Sequence, residues 1–153
     1  MQLKDLHAMP GHLIRRAQQI AVAIFMEECA EFDLTPVQYA ALAAIRQNSG
    51  VDATRLSSLI AFDRSTLGNV LERLEARKLV ERYAEPRDKR VKVLKLTADG
   101  ASLLRRAGAA VRRAQERILA PLPADQQAEL MALLGKLVDL NNEASRAPLR
   151  LVG

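Results

Sequence analysis

Apolar residues recur at helical spacing through most of the chain. Between His12 and Phe32, the positions Leu13, Ile14, Ala17, Ile20, Ala21, Ile24, Phe25 and Phe32 trace one stripe, which predicts a long helix. Its middle, Ala21-Val22-Ala23-Ile24-Phe25-Met26, is apolar all round, and a helix without a polar face is covered on both sides. In so small a chain a second copy of the protein can supply that cover. Thr35-Pro36 starts another helix, a capping residue followed by proline in the first turn, running to about Gln47 and stopping at Asn48-Ser49-Gly50. A short helix from Asp52 or Ala53 turns Leu56, Leu59 and Ile60 inward. Asp63 can cap the next, Arg64 to Arg77, where Leu67, Val70, Leu71 and Leu74 repeat on one side only.

The period then changes. Leu79 to Tyr83 reads as a strand, Glu85 to Arg90 as a polar turn, and Val91 to Leu96 as a second strand, together a hairpin with a basic tip. Thr97 caps a long helix, about Ala98 to Leu119, carrying Leu103, Leu104, Ala107, Val111, Ala114 and Ile118. Pro121 and Pro123 break it. A last helix from about Ala124 to Ala144 presents Leu130, Leu133, Leu134, Leu137 and Val138. The expected fold class is mainly α with a small β-hairpin wing. The tail is expected to be loose, residues 148–153 above all.

Charge sharpens this picture. The net charge is +5 over 153 residues. The segment Thr54 to Lys95 holds eleven Lys/Arg against six Asp/Glu, and the remainder holds twelve of each, so the excess lies in the two short helices and the hairpin. A localised basic block is the footprint of a polyanion partner. Other classes fall away. No apolar run nears the ~20 residues of a membrane span, and Met1 to Asp5 has no secretory pattern. One cysteine allows neither an internal disulfide nor a multi-cysteine metal site, so a cytoplasmic setting is expected. His7 and His12 are five apart, not the i, i+4 spacing of a helical zinc pair. Phosphate-loop and Gly-x-Ser-x-Gly motifs are missing, so neither enzyme activity, metal nor cofactor is expected.

The two short helices are joined by Ile60-Ala61-Phe62-Asp63, tight enough for a helix-turn-helix, whose second helix enters the DNA major groove. The outer face of that helix offers Arg64, Ser65, Thr66, Asn69 and Arg73. Arginine reads guanine with two hydrogen bonds, asparagine reads adenine, and hydroxyls bind phosphate or base. The hairpin tip sets Arg87, Lys89 and Arg90 around Asp88. A projecting arginine suits the narrow, strongly negative minor groove of A/T-rich DNA, and Asp88 can pair with Arg90 to hold the loop.

Leu71-Glu72-Arg73-Leu74-Glu75, Leu79-Val80-Glu81-Arg82, Pro86-Arg87-Asp88-Lys89-Arg90 and Leu96-Thr97-Ala98-Asp99-Gly100 resemble the MarR (multiple antibiotic resistance regulator) family of winged helix-turn-helix repressors. Glu85 stands where that pattern has Asp, and Lys78 where a glycine often precedes Leu-Val. The resemblance implies an obligate homodimer with N- and C-terminal dimerisation helices. Residues 1–34 with 98–147 would form the dimerisation region and 35–97 the winged DNA-binding domain. Its partner would be double-stranded DNA bearing a pseudo-palindromic operator. It also implies repression relieved by a small aromatic carboxylate bound between the dimerisation helices and the DNA-binding domain. The wording His12 to Gln19 is similar to a branch that represses nicotinate catabolism, which suggests a hydroxylated pyridine carboxylate. Candidate effector residues are His12, Arg16 and Gln19, on one face of the first helix beside Arg15, with Tyr39 and Phe62.

Two alternatives remain within DNA binding. One is an architectural protein without a ligand, with little sequence discrimination. The other is a redox sensor of the same fold using Cys29. Glu27, Glu28 and Glu31 flank Cys29 and are expected to raise its pKa, which favours packing over sensing.

Overall fold

In the computed structural model, which describes residues 2–151, the chain forms seven α-helices and three short strands. They are α1 (Leu3–His7), α2 (Pro10–Glu28), α3 (Pro36–Gln47), β1 (Val51–Asp52), α4 (Ala53–Leu59), α5 (Arg64–Ala76), β2 (Val80–Ala84), β3 (Lys92–Leu96), α6 (Ala98–Leu119) and α7 (Ala124–Leu140). The winged-helix class read from the sequence is the class observed.

Helix starts follow their side chains. Thr35 and Gln38 cap α3 reciprocally, each side-chain oxygen accepting from the other's backbone N–H, at 3.2 and 3.0 Å. Asp52 caps α4 through the Arg55 N–H at 2.7 Å, and Asp63 caps α5. Thr97 Oγ1 accepts from the Gly100 N–H at 3.0 Å and donates to the Lys78 carbonyl at 2.7 Å, so one hydroxyl starts α6 and fastens it to the end of α5.

Four details differ from the sequence expectation. The long first helix breaks at Cys29, and a 3-10 turn over Ala30–Phe32 leads to Asp33, whose left-handed backbone (φ 48°) reverses the chain. The wing is one part of a three-stranded antiparallel sheet in the order β1-β3-β2, because Val51 and Asp52 pair with Leu94 and Val93. The last α-helix ends at Leu140, followed by a 3-10 turn over Asn142–Ala144. The tail is not loose as far as Leu151: Arg55 on α4 donates to the carbonyls of Arg150 and Leu151, both at 3.0 Å, and the Arg150 N–H donates to the Ser58 carbonyl at 2.9 Å. Position at a chain end says little when backbone groups find partners. Residues 152 and 153 lie outside the described ones.

Lys78 keeps the turn a glycine would make. Its φ is 56°. The Lys78 N–H donates to the Glu75 carbonyl (2.8 Å) and the Leu79 N–H to the Leu74 carbonyl (3.0 Å), the paired bonds of a Schellman end on α5.

The core is one cluster. Leu42 and Ile45 of α3, Leu56 of α4, Leu67, Leu71 and Leu74 of α5 are wholly buried, and Leu94, Leu103 and Leu104 nearly so. Phe25 and Phe32 close its α2 side. By contrast, α7 has no buried residue.

Candidate nucleic-acid interface

The leucine stripe of α5 fixes its orientation. With Leu67, Leu71 and Leu74 inward, Arg64, Ser65, Thr66, Asn69, Glu72 and Arg73 are all exposed on the opposite side. At the helix N-terminus the Ser65 and Thr66 hydroxyls both donate to the Asp63 carboxylate, Thr66 at 2.9 Å. Those bonds, the Ser65 one foremost, hold the Asp63 carboxyl below its ordinary pKa. The hydroxyl protons are therefore engaged, while their lone pairs and the arginines remain free for a partner. Two arginines tie the helix to its neighbours. Arg82 of β2 pairs with Glu75 at 2.9 Å, and Arg77 donates to the Phe32 carbonyl at 2.9 Å and to that of Asp33.

The wing tip is built by two carboxylates. Glu85 accepts from the backbone N–H groups of Arg87 and Asp88, both at 2.7 Å. Asp88 accepts the Arg90 N–H at 3.1 Å and its guanidinium at two points, both 2.9 Å. This pairing pulls the Asp88 pKa down and pushes that of Arg90 up. The Arg90 side chain is nonetheless 91% exposed, so the brace aims the guanidinium outward without covering it. Arg87 and Lys89 are exposed beside it. The sequence reading anticipated the Asp88 brace. It missed Glu85, whose longer side chain does for the turn backbone what Asp88 does for Arg90.

The five effector candidates do not come together within one protomer. Tyr39 lies half-buried on α3, its ring edge-on to Phe25 with centroids 6.3 Å apart. It opens onto a cavity of about 520 Å³ between α3 and α6, in the range of small-molecule sites. Arg46, Gln47, Arg105 and Arg112 share that wall, with Leu104 beneath. His12, Arg16, Gln19 and Phe62 do not line it. His12 stacks near His7, centroids 5.2 Å apart, and its pKa is lowered by desolvation first and then by Arg15, His7 and Arg16. Arg16 and Gln19 are exposed on α2, Gln19 accepting from Arg15 at 2.9 Å, and Phe62 packs against the core beneath α5. The three cavity arginines were overlooked. Arg105 and Arg112 are seven apart, hence on one face of α6, but spacing alone does not say which face meets α3.

Cys29 is wholly buried, and burial, followed by the charge of Glu28, pushes its thiol pKa up. That is the setting of a packing thiol. Among the described residues no helix is long and apolar enough to cross a membrane.

Residues 32–91 match the family model described as MarR family. The repressor NicR of Pseudomonas putida is 32% identical over 92% of this chain and 89% of its own length. BpsR of Bordetella bronchiseptica, solved in a study of the regulation of its DNA binding by 6-hydroxynicotinic acid, superposes with a TM-score of 0.81 at 31% identity, covering 87% of this chain and 95% of that one. A MarR variant of Escherichia coli, solved in complex with operator DNA, gives a TM-score of 0.80 at 28% identity, covering 90% and 99%.

Proposed function

This chain belongs to the MarR family, a transcriptional regulator and not an enzyme, and from that premise we propose that it is a homodimeric repressor released by a small aromatic carboxylate. In this reading residues 1–34 and 98–147 form the dimerisation region and 35–97 the DNA-binding domain. Arg64, Ser65, Thr66, Asn69 and Arg73 read the major groove of each half-site, arginine and asparagine at base edges and the hydroxyls at phosphate or base. Arg90 enters the adjacent minor groove with Arg87 and Lys89 at its rim, and Asp88 is the brace. The observation that carries the DNA reading is the braced, outward Arg90 on the same unit as the exposed polar face of α5.

The effector reading rests on the cavity between α3 and α6. Three guanidinium groups and a phenol around one apolar floor suit an acid carried on a ring, the carboxylate on arginine and a ring substituent on Tyr39. The likeness to BpsR, whose DNA binding is regulated by 6-hydroxynicotinic acid, favours a hydroxylated pyridine carboxylate of that kind. A ligand there would bridge a dimerisation helix and the first helix of the winged unit, and so bias their relative position.

The test is fluorescence anisotropy on an operator duplex with 6-hydroxynicotinic acid added. Arg90→Ala should weaken operator binding by about tenfold or more with the dimer intact. Arg112→Ala should leave operator affinity near wild type and blunt release. Release blunted by Arg16→Ala and untouched by Arg112→Ala would move the ligand to the α2 face.

A further inference from the structure

We infer that the C-terminal strap, Asn142 to Leu151, positions the winged unit for operator recognition by fixing it to the end of α7, and so sets the half-site spacing the dimer accepts. The inference rests on the operator-binding reading above and adds to it a role for the end of the chain.

Where the strap leaves α7 it is closed on itself: the Asn142 amide donates to the Leu149 carbonyl at 3.1 Å and its oxygen accepts the Leu149 N–H at 2.8 Å. Glu143 takes the Arg150 guanidinium at 2.7 and 2.8 Å. On the winged side, the Arg55 guanidinium grips the successive carbonyls of Arg150 and Leu151, and the Arg150 N–H meets the Ser58 carbonyl. Arg55 and Ser58 belong to α4, the first helix of the helix-turn-helix. The strap also runs beside its turn, since Ser145, Ala147 and Leu149 share a cleft of about 430 Å³ with Ala61.

The exposed Glu143–Arg150 pair contributes little alone. The directional part is the planar fork of Arg55 on two carbonyls, which a lysine cannot reproduce. Because α7 buries none of its own residues, this strap holds its end against the winged unit. Each protomer carries one such link, so the pair of recognition helices inherits its separation from two straps. Moving a half-site by one base pair shifts it about 3.4 Å and rotates it about 35°, a displacement a fixed link resists and a free one follows.

The experiment selects duplexes from a random library with the wild-type protein, then remakes the selected site with its half-sites one base pair closer and one further apart. Wild type should lose about a hundredfold in affinity on the altered spacings, as two-point attachment is lost. Arg55→Ala and Asn142→Ala should both flatten that preference to within about threefold, each measured on protein that sedimentation shows to be dimeric, and Arg55→Lys should not restore it. Asn142 is uncharged and its amide is engaged with Leu149, so its removal sheds no phosphate-bound cation. Unchanged spacing preference in both alanine variants would overturn the inference. So would an effect of Arg55→Ala alone, uniform across spacings and with a salt slope shallower by about one, the signature of a phosphate contact. Wild type binding every duplex alike would remove the operator reading itself, and this inference with it.

Discussion

Two stretches of leucine with the same spacing meet different fates. On α5, Leu67, Leu71 and Leu74 are wholly buried. On α7, Leu130, Leu133, Leu134 and Leu137 are 40–59% exposed. A hydrophobic stripe tells which face of a helix must be covered, and leaves open by what. The winged unit covers its own: α3, α4 and the sheet close over α5, and a cap or an arginine secures each join. On α7 the stripe stays uncovered, and a second copy covers it in the proposed dimer. Packing of the winged unit is thus finished within one chain, and in the proposed reading the cover of α7 is left to two.

Paired substitutions on the two stripes give the largest effect. Leu71→Ala should cost about 2–5 kcal/mol of folding stability at any protein concentration, read by denaturant unfolding. Leu137→Asp should leave the helical content of the protomer unchanged and shift sedimentation from dimer to monomer, with operator affinity falling about a hundredfold as bivalency is lost. A Leu137→Asp protein that stays dimeric would break the contrast.

Gly100 sits at the seam between the two regions. A Cβ there would lie 2.0 Å from the Leu79 carbonyl oxygen and 2.9 Å from its carbon, both backbone atoms that cannot yield cheaply. Gly100→Ala should lower stability by about 1–3 kcal/mol and loosen the α6 start. A stability within 0.5 kcal/mol of wild type, as about the range of neutral surface changes, would show that the seam tolerates separation.

Lys78 offers a smaller effect of opposite sign. Its left-handed backbone strains any residue with a Cβ, so Lys78→Gly should raise stability by about 0.5–1 kcal/mol in thermal unfolding. The smallest change belongs to the clamp between α2 and α6. Glu28 accepts from Arg113 at 3.0 Å and Arg117 at 2.8 Å, and these bonds, Arg117 first, hold its carboxyl below the usual glutamate range. A depressed folded pKa means stability present above the unfolded value, about 4.3, and lost as pH falls through the folded one. Glu28→Gln should flatten that acid-side decline by lowering the neutral plateau slightly, toward the level the wild type reaches in acid.

Much of the fold was legible because its signals are local. Thr35, Asp52, Asp63 and Thr97 each cap the helix they precede, and Asp88 braces Arg90 within two residues. What escaped depends on distant partners. The strand β1 is two residues long, too short for alternation, and exists because Gly50 and Val51 meet Leu94. The strap depends on Arg55, roughly a hundred residues away. The cavity depends on α3 crossing α6, which brings Arg46 to Arg105 and Arg112. His12, Arg16 and Gln19 share a helix face as spacing foretold, yet sharing a face does not make a pocket.

Recovery of bound fragments from genomic DNA by the purified protein, at about physiological salt, tests the central claim most directly. A sharp pseudo-palindrome with half-site centres about one helical turn apart is the expected result, and Arg90→Ala should fail to enrich it. Unselective recovery, equal for wild type and Arg90→Ala, would contradict operator reading by the paired winged units and leave an architectural DNA binder in its place.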